Sequence, residues 1–380
     1  MQIGIPREIK DGEARVAGTP DMVHALAAEG HAVVIEAGAG LGSGFSDDAY
    51  RAAGARIAVH PDEIYACPMV VKVKELQPDE YVRVRSGCLV VGYHQLARDP
   101  RLLDAVLLRR ATCLAYEDVR AEDGSRPLLA PMSRIAGVLS AQIAAWALQH
   151  RAGPLAGSGV LLPSLEGVPP AHVLVVGDGT AGGAAARAFL ALGCDVTVLG
   201  ASAAHLARLE RELAGCGRGA WRTAPSSPAE LASRIAGADV VVGAVAVPGR
   251  LAPKLITREM LRSMRPGSVF IDIGIDMGGI AETSRQTKLS DPMYREEGVL
   301  HYCVPNIPAL VPRAATQALT AATLPYVRLL AGLGLDGAMD AAPEIRSALL
   351  VHDGHVVHPG LAEDTGRPLA EYATLRRGSG

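Results

Sequence analysis

One stretch constrains this 380-residue chain more than any other. In "HVLVVGDGTAGGAAARAFLALGCDVTVLG", residues 172–200, a continuous apolar strand runs into Gly177-x-Gly179-x-x-Gly182, then a helical run that stops at Gly193, then a second strand. That order is the opening unit of a dinucleotide-binding βαβ fold. The glycines permit a tight turn, close approach of a pyrophosphate to backbone N–H groups and close packing of helix on strand, and the helix N-terminus favours the anion. Gly177, Gly179 and Gly182, with Thr180 and Ala181 between the last two, are therefore candidate cofactor contacts. The second strand ends in Gly200, where a carboxylate would hydrogen-bond the ribose hydroxyls of NAD and repel a 2′-phosphate. Gly200 does neither. The following "GASAAHLARL" offers the Ser202 hydroxyl, with His205 or Arg208 as phosphate partners. The expected cofactor is NAD or NADP, with NADP slightly favoured.

The length suffices for two domains, each burying its own core. With 49% hydrophobic and 20% charged residues and a formal net charge of -3, the chain has the make-up of a soluble globular enzyme rather than a sequence-independent nucleic-acid binder. "MQIGIPREIK" lacks the pattern of a signal peptide, and no run of about 18 uncharged apolar residues follows, so a cytoplasmic protein with neither membrane nor nucleic-acid partner is expected. Cys67, Cys88, Cys113, Cys194, Cys216 and Cys303 are scattered without a C-x-x-C pair and are read as reduced thiols.

Around the glycine motif, strand and helix signals alternate. "MQIGIP" is a strand. "TPDMVHALAAEG" is a helix with Thr19 as N-cap, Pro20 at its first position and Gly30 as terminator, and "HAVVIEAG" is the next strand. "MVVKVKE", "GCLVVGYHQL", "PRLLDAVLLRRA" and "TCLAYEDV" continue the pattern, which describes a parallel sheet covered on both faces. A long helix, "MSRIAGVLSAQIAAWALQHRAG", and a Gly/Pro-rich connector lead to the glycine motif and a second α/β domain. The C-terminal tail is too short for a third domain and is expected to pack on the first.

The segments "GIPREIKDGEARVAGTP", "EAGAGLGSGFSDDAYRAAGA", "VVKVKE", "LLAPMSRIAGVLSAQ", "GDGTAGGAAARAFLALG", "VVVGAVAVPG", "APKLITREML", "FIDIGIDMGG" and "VPNIPALVP" are long and specific. Through them nearly the whole chain resembles alanine dehydrogenase and, more distantly, the NAD-binding subunit of proton-translocating transhydrogenase. The resemblance implies an α/β fold of two Rossmann-like doubly wound domains, a cofactor domain (129–312) inserted into a discontinuous substrate domain (1–128 and 313–380). It also implies a homo-oligomer, usually a homohexamer.

The family reaction interconverts L-alanine and NAD with pyruvate and ammonia, by hydride loss from Cα to give an iminium that water attacks. Such chemistry needs cations for the substrate carboxylate, an acid/base near neutrality and a carboxylate for the amine. By resemblance Arg15, in "GEARVAGTP", and Lys74, in "KVKE", hold the carboxylate or carbonyl, a guanidinium being suited to bidentate binding. Asp276, in "DIGIDMGG", ends a strand before a glycine loop that the resemblance places beside the nicotinamide, whereas Asp272 is read as structural. Met132 and Ser133 match positions lining the substrate and cofactor pocket, and Asn306 matches a loop residue near the nicotinamide that serves both. Arg134 stands where the family is usually acidic, and Ile307 replaces a common methionine.

The family histidine is displaced. In "VVGYHQLARDP" Gln95 falls on its position and His94 one residue earlier, so either could serve the carbonyl end, His94 only if the strand has ended and the loop re-aims it. Gln95 hydrogen-bonds but cannot exchange protons, leaving water or Lys74 to supply one. Tyr93 and Tyr116 are read as packing residues. His352, His355 and His358 are spaced suggestively, but with no nearby cysteine or acid pattern no metal is expected.

The leading expectation is an NAD(P)-dependent oxidoreductase interconverting an L-amino acid with a 2-oxo acid and ammonia. One alternative is an imine reductase joining an oxo acid and an amine into a secondary amine of the opine type. Another is a non-catalytic dinucleotide-binding homologue.

Overall fold

The computed structural model describes residues 1–245 and 251–377. The chain forms two compact units, Met1–Pro131 with Ala309–Gly380, and Met132–Pro308.

In the first unit six strands run parallel: β1 (Gln2–Ile5), β2 (Ala32–Glu36), β3 (Arg56–Ala58), β4 (Met69–Val71), β5 (Leu89–Gly92) and β6 (Thr112–Ala115). Every residue of β4, β5 and β6 is buried, as a parallel sheet covered on both faces requires. The strand order places β1 between β4 and β2, so successive connections leave β1 in opposite directions. The crevice outside the carboxyl ends of β1 and β4 is thus the topological switch point of this sheet. The first helix, Pro20–Ala28, begins as its sequence dictates. The Thr19 side chain accepts a hydrogen bond from Met22 N at 3.3 Å, Pro20 sits in the first turn, and Gly30 follows the end at a φ of 81°.

The C-terminal part of this unit starts with the helix Pro312–Ala341, bent at Gly334, whose φ is 70°. By length and composition alone this helix could cross a membrane. Arg313, Arg328, Asp336 and Asp340 keep it from being an uncharged apolar run. Here Thr316, Leu319, Thr320, Thr323 and Val327 are buried, and Thr316 Oγ1 accepts from Val16 N at 3.1 Å. One face of the helix is thus packed into this unit. Two further strands, β14 (Leu349–His352) and β15 (His355–Val356), complete the sheet, β14 antiparallel to β6.

The second unit holds a seven-stranded sheet: β7 (His172–Val176), β8 (Asp195–Gly200), β9 (Trp221–Pro225), β10 (Val240–Gly243), β11 (Val269–Asp272), β12 (Met293–Glu296) and β13 (Val299–Tyr302). Only β12 is antiparallel, forming a hairpin with β13. In the order β12-β13-β11-β10-β7-β8-β9 the switch point lies between β7 and β10, beside the glycine motif. Both units are doubly wound α/β sheets.

Candidate active site

The glycine loop follows β7. A Cβ on Gly182 would lie 1.9 Å from the Gly177 carbonyl oxygen, and one on Gly177 would lie 2.4 Å from the Ala244 carbonyl oxygen at the end of β10. Both glycines are therefore steric requirements of the helix-to-strand approach. A Cβ on Gly179 would meet nothing within 4 Å, so this glycine faces open space at the start of the helix Thr180–Ala191. A bare backbone cradle at a helix N-terminus fits a pyrophosphate. On the other side of this helix, Gly137 allows the helix Ala130–Ala147 to close in, since a Cβ there would lie 2.3 Å from the Ala181 carbonyl oxygen. Gly137 was not anticipated as a packing residue.

The end of β8 differs from what its sequence suggests. A Cβ on Gly200 would meet the side chain of Asp178, with Oδ2 at 2.4 Å, Cγ at 2.6 Å and the Asp178 Cβ at 2.7 Å. Ser202 N donates to Asp178 Oδ2 at 3.4 Å. The Ser202 hydroxyl accepts from His205 N at 3.3 Å as the cap of the helix Ala203–Leu213, and Arg208 lies 3.6 Å from Glu212. The strand end thus carries a carboxylate from a neighbouring loop, and two of the groups expected to meet a 2′-phosphate, the Ser202 hydroxyl and Arg208, have protein partners. Asp178 was overlooked because it is the variable residue inside the glycine motif, and only the β7–β8 register brings it beside Gly200.

In the first unit the loops after β1, β4, β5 and β6 carry the polar groups. Arg15 is 2% exposed and Glu13 grips it bidentately, Nε to Oε1 at 2.7 Å and Nη2 to Oε2 at 2.5 Å. Behind Lys74 lies a buried network that sequence reasoning missed. Lys72 Nζ lies 2.7 Å from Glu80 Oε1 and 3.2 Å from Glu8 Oε2, and the Tyr65 hydroxyl donates to Glu80 Oε1 at 2.5 Å. Burial pulls the Lys72 pKa down, but Glu8 and Glu80 outweigh it and hold the pKa above the ordinary lysine value. Glu8 Oε1 also accepts from Val73 N at 2.7 Å, tying the loop after β1 to the Val73–Lys74 backbone. Lys10 pairs with Glu75. Burial works to raise the Glu75 pKa, yet Lys74 and Lys10 prevail and lower it. The alternation Lys72-x-Lys74 gave a signal for two lysines on one face. It did not say which was the structural one.

The strand β5 ends at Gly92, and the loop does re-aim its residues, though not toward catalysis by His94. His94 is 1% exposed, and its ring Nε2 lies 3.0 Å from the Val90 carbonyl oxygen. Burial lowers its pKa to about 4. A buried imidazole turned back on its own strand, with its pKa lowered, is poorly placed for the acid/base role expected of His94. Gln95 takes the left-handed conformation, φ 50°, and is only half-buried. Glu117, after β6, accepts from the backbone N–H of both His94 and Gln95, at 3.0 and 2.9 Å. Burial raises the Glu117 carboxyl to about 7. Tyr93 donates to the Leu128 carbonyl at 2.7 Å and meets Tyr116 edge-on at 5.3 Å, the packing role expected of both.

In the second unit Asp276 lies half-buried in the turn Ile275–Met277 after β11, and Asn306 lies after β13 with φ 65°. Lys254 Nζ donates to the carbonyls of Gly278 and Gly279 at 2.6 and 2.9 Å, securing the loop that carries Asp276. Asp272 is fully buried, its Oδ2 accepting from Ile280 N at 2.9 Å and Ser284 Oγ at 2.6 Å, as befits a structural residue. Met132 is buried and Ser133 half-buried on the helix Ala130–Ala147, while Arg134 is exposed and Ile307 buried. The end of "VVVGAVAVPG", residues 246–249, lies outside the described residues. His352, His355 and His358 have separate local partners, Thr112 Oγ1 at 3.0 Å, the Asp353 carbonyl at 2.9 Å and Leu361 N at 3.1 Å.

With this geometry in view, comparison with known proteins is decisive. The model described as alanine dehydrogenase/PNT, N-terminal domain, matches residues 4–136, and that of the C-terminal domain matches 140–359. The chain belongs to the alanine dehydrogenase/PNT family. It is 43% identical to an alanine dehydrogenase of Halomonas elongata over 376 residues, 99% of this chain and 100% of the relative. A solved L-alanine dehydrogenase superposes with a TM-score of 0.90 at 39% identity, covering 96% of this chain and 99% of its own. A transhydrogenase from Sinorhizobium meliloti follows at 0.79 and 28% identity, covering 94% and 99%. The N-terminal match of the alanine dehydrogenase/PNT family contains Arg15, Lys74 and Gln95, and the C-terminal match contains the glycine loop, Gly200, Asp276 and Asn306.

Proposed function

We propose that this chain interconverts an L-amino acid with a 2-oxo acid and ammonia, using a nicotinamide dinucleotide. As a member of its family it is an NAD-dependent oxidoreductase acting on CH–NH2. The observation that carries the reading is the convergence, at the switch point of the first sheet, of the loops bearing Arg15 and Lys74, tied together by Glu8. Two cations on fixed backbone at the carboxyl edge suit a small carboxylate substrate.

In this reading Arg15, oriented by Glu13, and Lys74 hold the substrate carboxylate and carbonyl. Gln95 donates a hydrogen bond to the carbonyl or imine end, water or Lys74 supplies the proton, and Met132 lines the substrate pocket. Asp276 and Asn306 stand on the second unit, where Asp276 holds the amine nitrogen. Gly177, Gly179, Thr180, Ala181 and Gly182 hold the pyrophosphate, with Ser133 and the Gly200–Ser202 segment contributing to the dinucleotide site. When bound, the dinucleotide accepts or donates the hydride at the substrate Cα.

The missing catalytic histidine favours a second reading, reduction of a preformed imine, because Gln95 can polarise such a bond without exchanging protons. Purified protein is given NADH or NADPH with pyruvate or larger 2-oxo acids, and either ammonium or a panel of amines. Oxidation with ammonium supports the amino-acid dehydrogenase; oxidation only with an amine supports the imine reductase; cofactor binding without any turnover supports a binding homologue. The family likeness supports a homohexamer and a cytoplasmic location, the former measurable by light scattering on the purified chain.

A further inference from the structure

We infer that Asp178 supplies, from inside the glycine loop, the ribose-binding carboxylate that the end of β8 lacks, and so makes the site select NAD(H) over NADP(H). This rests on the reading of the second unit as the dinucleotide unit, and it replaces the preference for NADP drawn from Gly200 alone.

The β7–β8 ladder pairs Val176 with Leu199, and Gly177 N donates to the Leu199 carbonyl at 2.8 Å. Asp178, the second residue after β7, emerges from there beside Gly200. Three Asp178 atoms, Oδ2, Cγ and Cβ, lie within 2.7 Å of where a Gly200 side chain would begin. The two positions exclude one another: a side chain at 200 needs a smaller residue at 178, and Asp178 needs glycine at 200. Read together, they move a carboxylate from the strand end to the glycine loop with little change of place.

The transplanted group has the chemistry the position calls for. Ser202 N anchors Oδ2 at 3.4 Å, and a carboxylate has capacity left for both hydroxyls of a vicinal diol. A 2′-phosphate would meet that carboxylate as a like charge, which is discrimination by repulsion. Arg187 and Arg208 both face Glu212, and the Ser202 hydroxyl accepts from His205 N as the cap of its helix.

The test is binding, measured calorimetrically with NADH and NADPH on the full chain, so turnover is not needed. The wild type is expected to bind NADH at least tenfold tighter. Asp178→Asn, which keeps the shape and removes the charge, is expected to shrink that ratio about tenfold, mainly by improving NADPH. Exchanging the pair, Asp178→Gly with Gly200→Asp, is expected to restore the preference for NADH. A wild type that prefers NADPH, or an Asp178→Asn ratio equal to that of the wild type, overturns the assignment alone. A wild type that binds neither nucleotide overturns the dinucleotide reading together with it.

Discussion

Glu117 Oε1 accepts hydrogen bonds from the backbone N–H of both His94 and Gln95, at 3.0 and 2.9 Å. One carboxyl group thus fixes the turn that gives Gln95 its left-handed backbone. Burial raises its pKa from 4.5 to about 7, so the folded state holds a proton that the unfolded state releases. Its contribution is complete below pH 4.5 and is lost as pH rises through 7, by an amount of order 3 kcal/mol. Glu117→Gln still accepts both N–H groups and carries no charge. Urea midpoints followed from acid to neutral pH should fall more steeply for the wild type than for this variant; parallel curves would remove Glu117 from the account.

His94 titrates the other way. Its folded pKa of about 4 lies below the ordinary 6.5, so stability is full above pH 6.5 and is lost as pH falls through 4. His94→Gln should abolish that acid limb and cost about 1–2 kcal/mol through the weakened contact with the Val90 carbonyl. Turnover near neutrality should keep its pH profile. A profile that loses a limb near neutrality in this variant would make His94 the proton-exchanging group after all.

The contrast between these two residues shows where sequence reading stops. Strand and glycine patterns sufficed for the two doubly wound sheets, because buried parallel strands are written as unbroken apolar runs such as "VVV" and "LVVG". Thr19 and Pro20 announced their helix for local reasons. The direction of His94 was not legible, since it depends on where β5 ends and on Glu117, which follows the next strand. Asp178 and the Glu8, Lys72, Glu80 network were likewise hidden, being pairings between segments rather than patterns within one.

Lys72 is placed as a structural cation between two carboxylates, and removing it strands both. Lys72→Met should cost about 3–5 kcal/mol in chemical unfolding, and adding Glu80→Gln should recover part of the loss. A Lys72→Met protein as stable as the wild type would contradict that arrangement.

Gly182→Ala puts a methyl group 1.9 Å from the Gly177 carbonyl oxygen. The helix must then retreat from β7, at a cost of about 1–3 kcal/mol, with dinucleotide affinity reduced because the cradle widens. Calorimetric titration with NADH checks this, with Gly179→Ala as the comparison, where the added methyl meets no protein atom and only the ligand would feel it. Equal and undiminished affinity in both variants would place the pyrophosphate elsewhere.

The most direct measurement follows the nitrogen. Purified protein is incubated with NADH, pyruvate and isotopically labelled ammonium, and the products are resolved by mass spectrometry. The account predicts label in a primary amino acid, L-alanine, in step with NADH oxidation. Absence of label from any primary amino acid, in protein shown by titration to bind NADH, would contradict it.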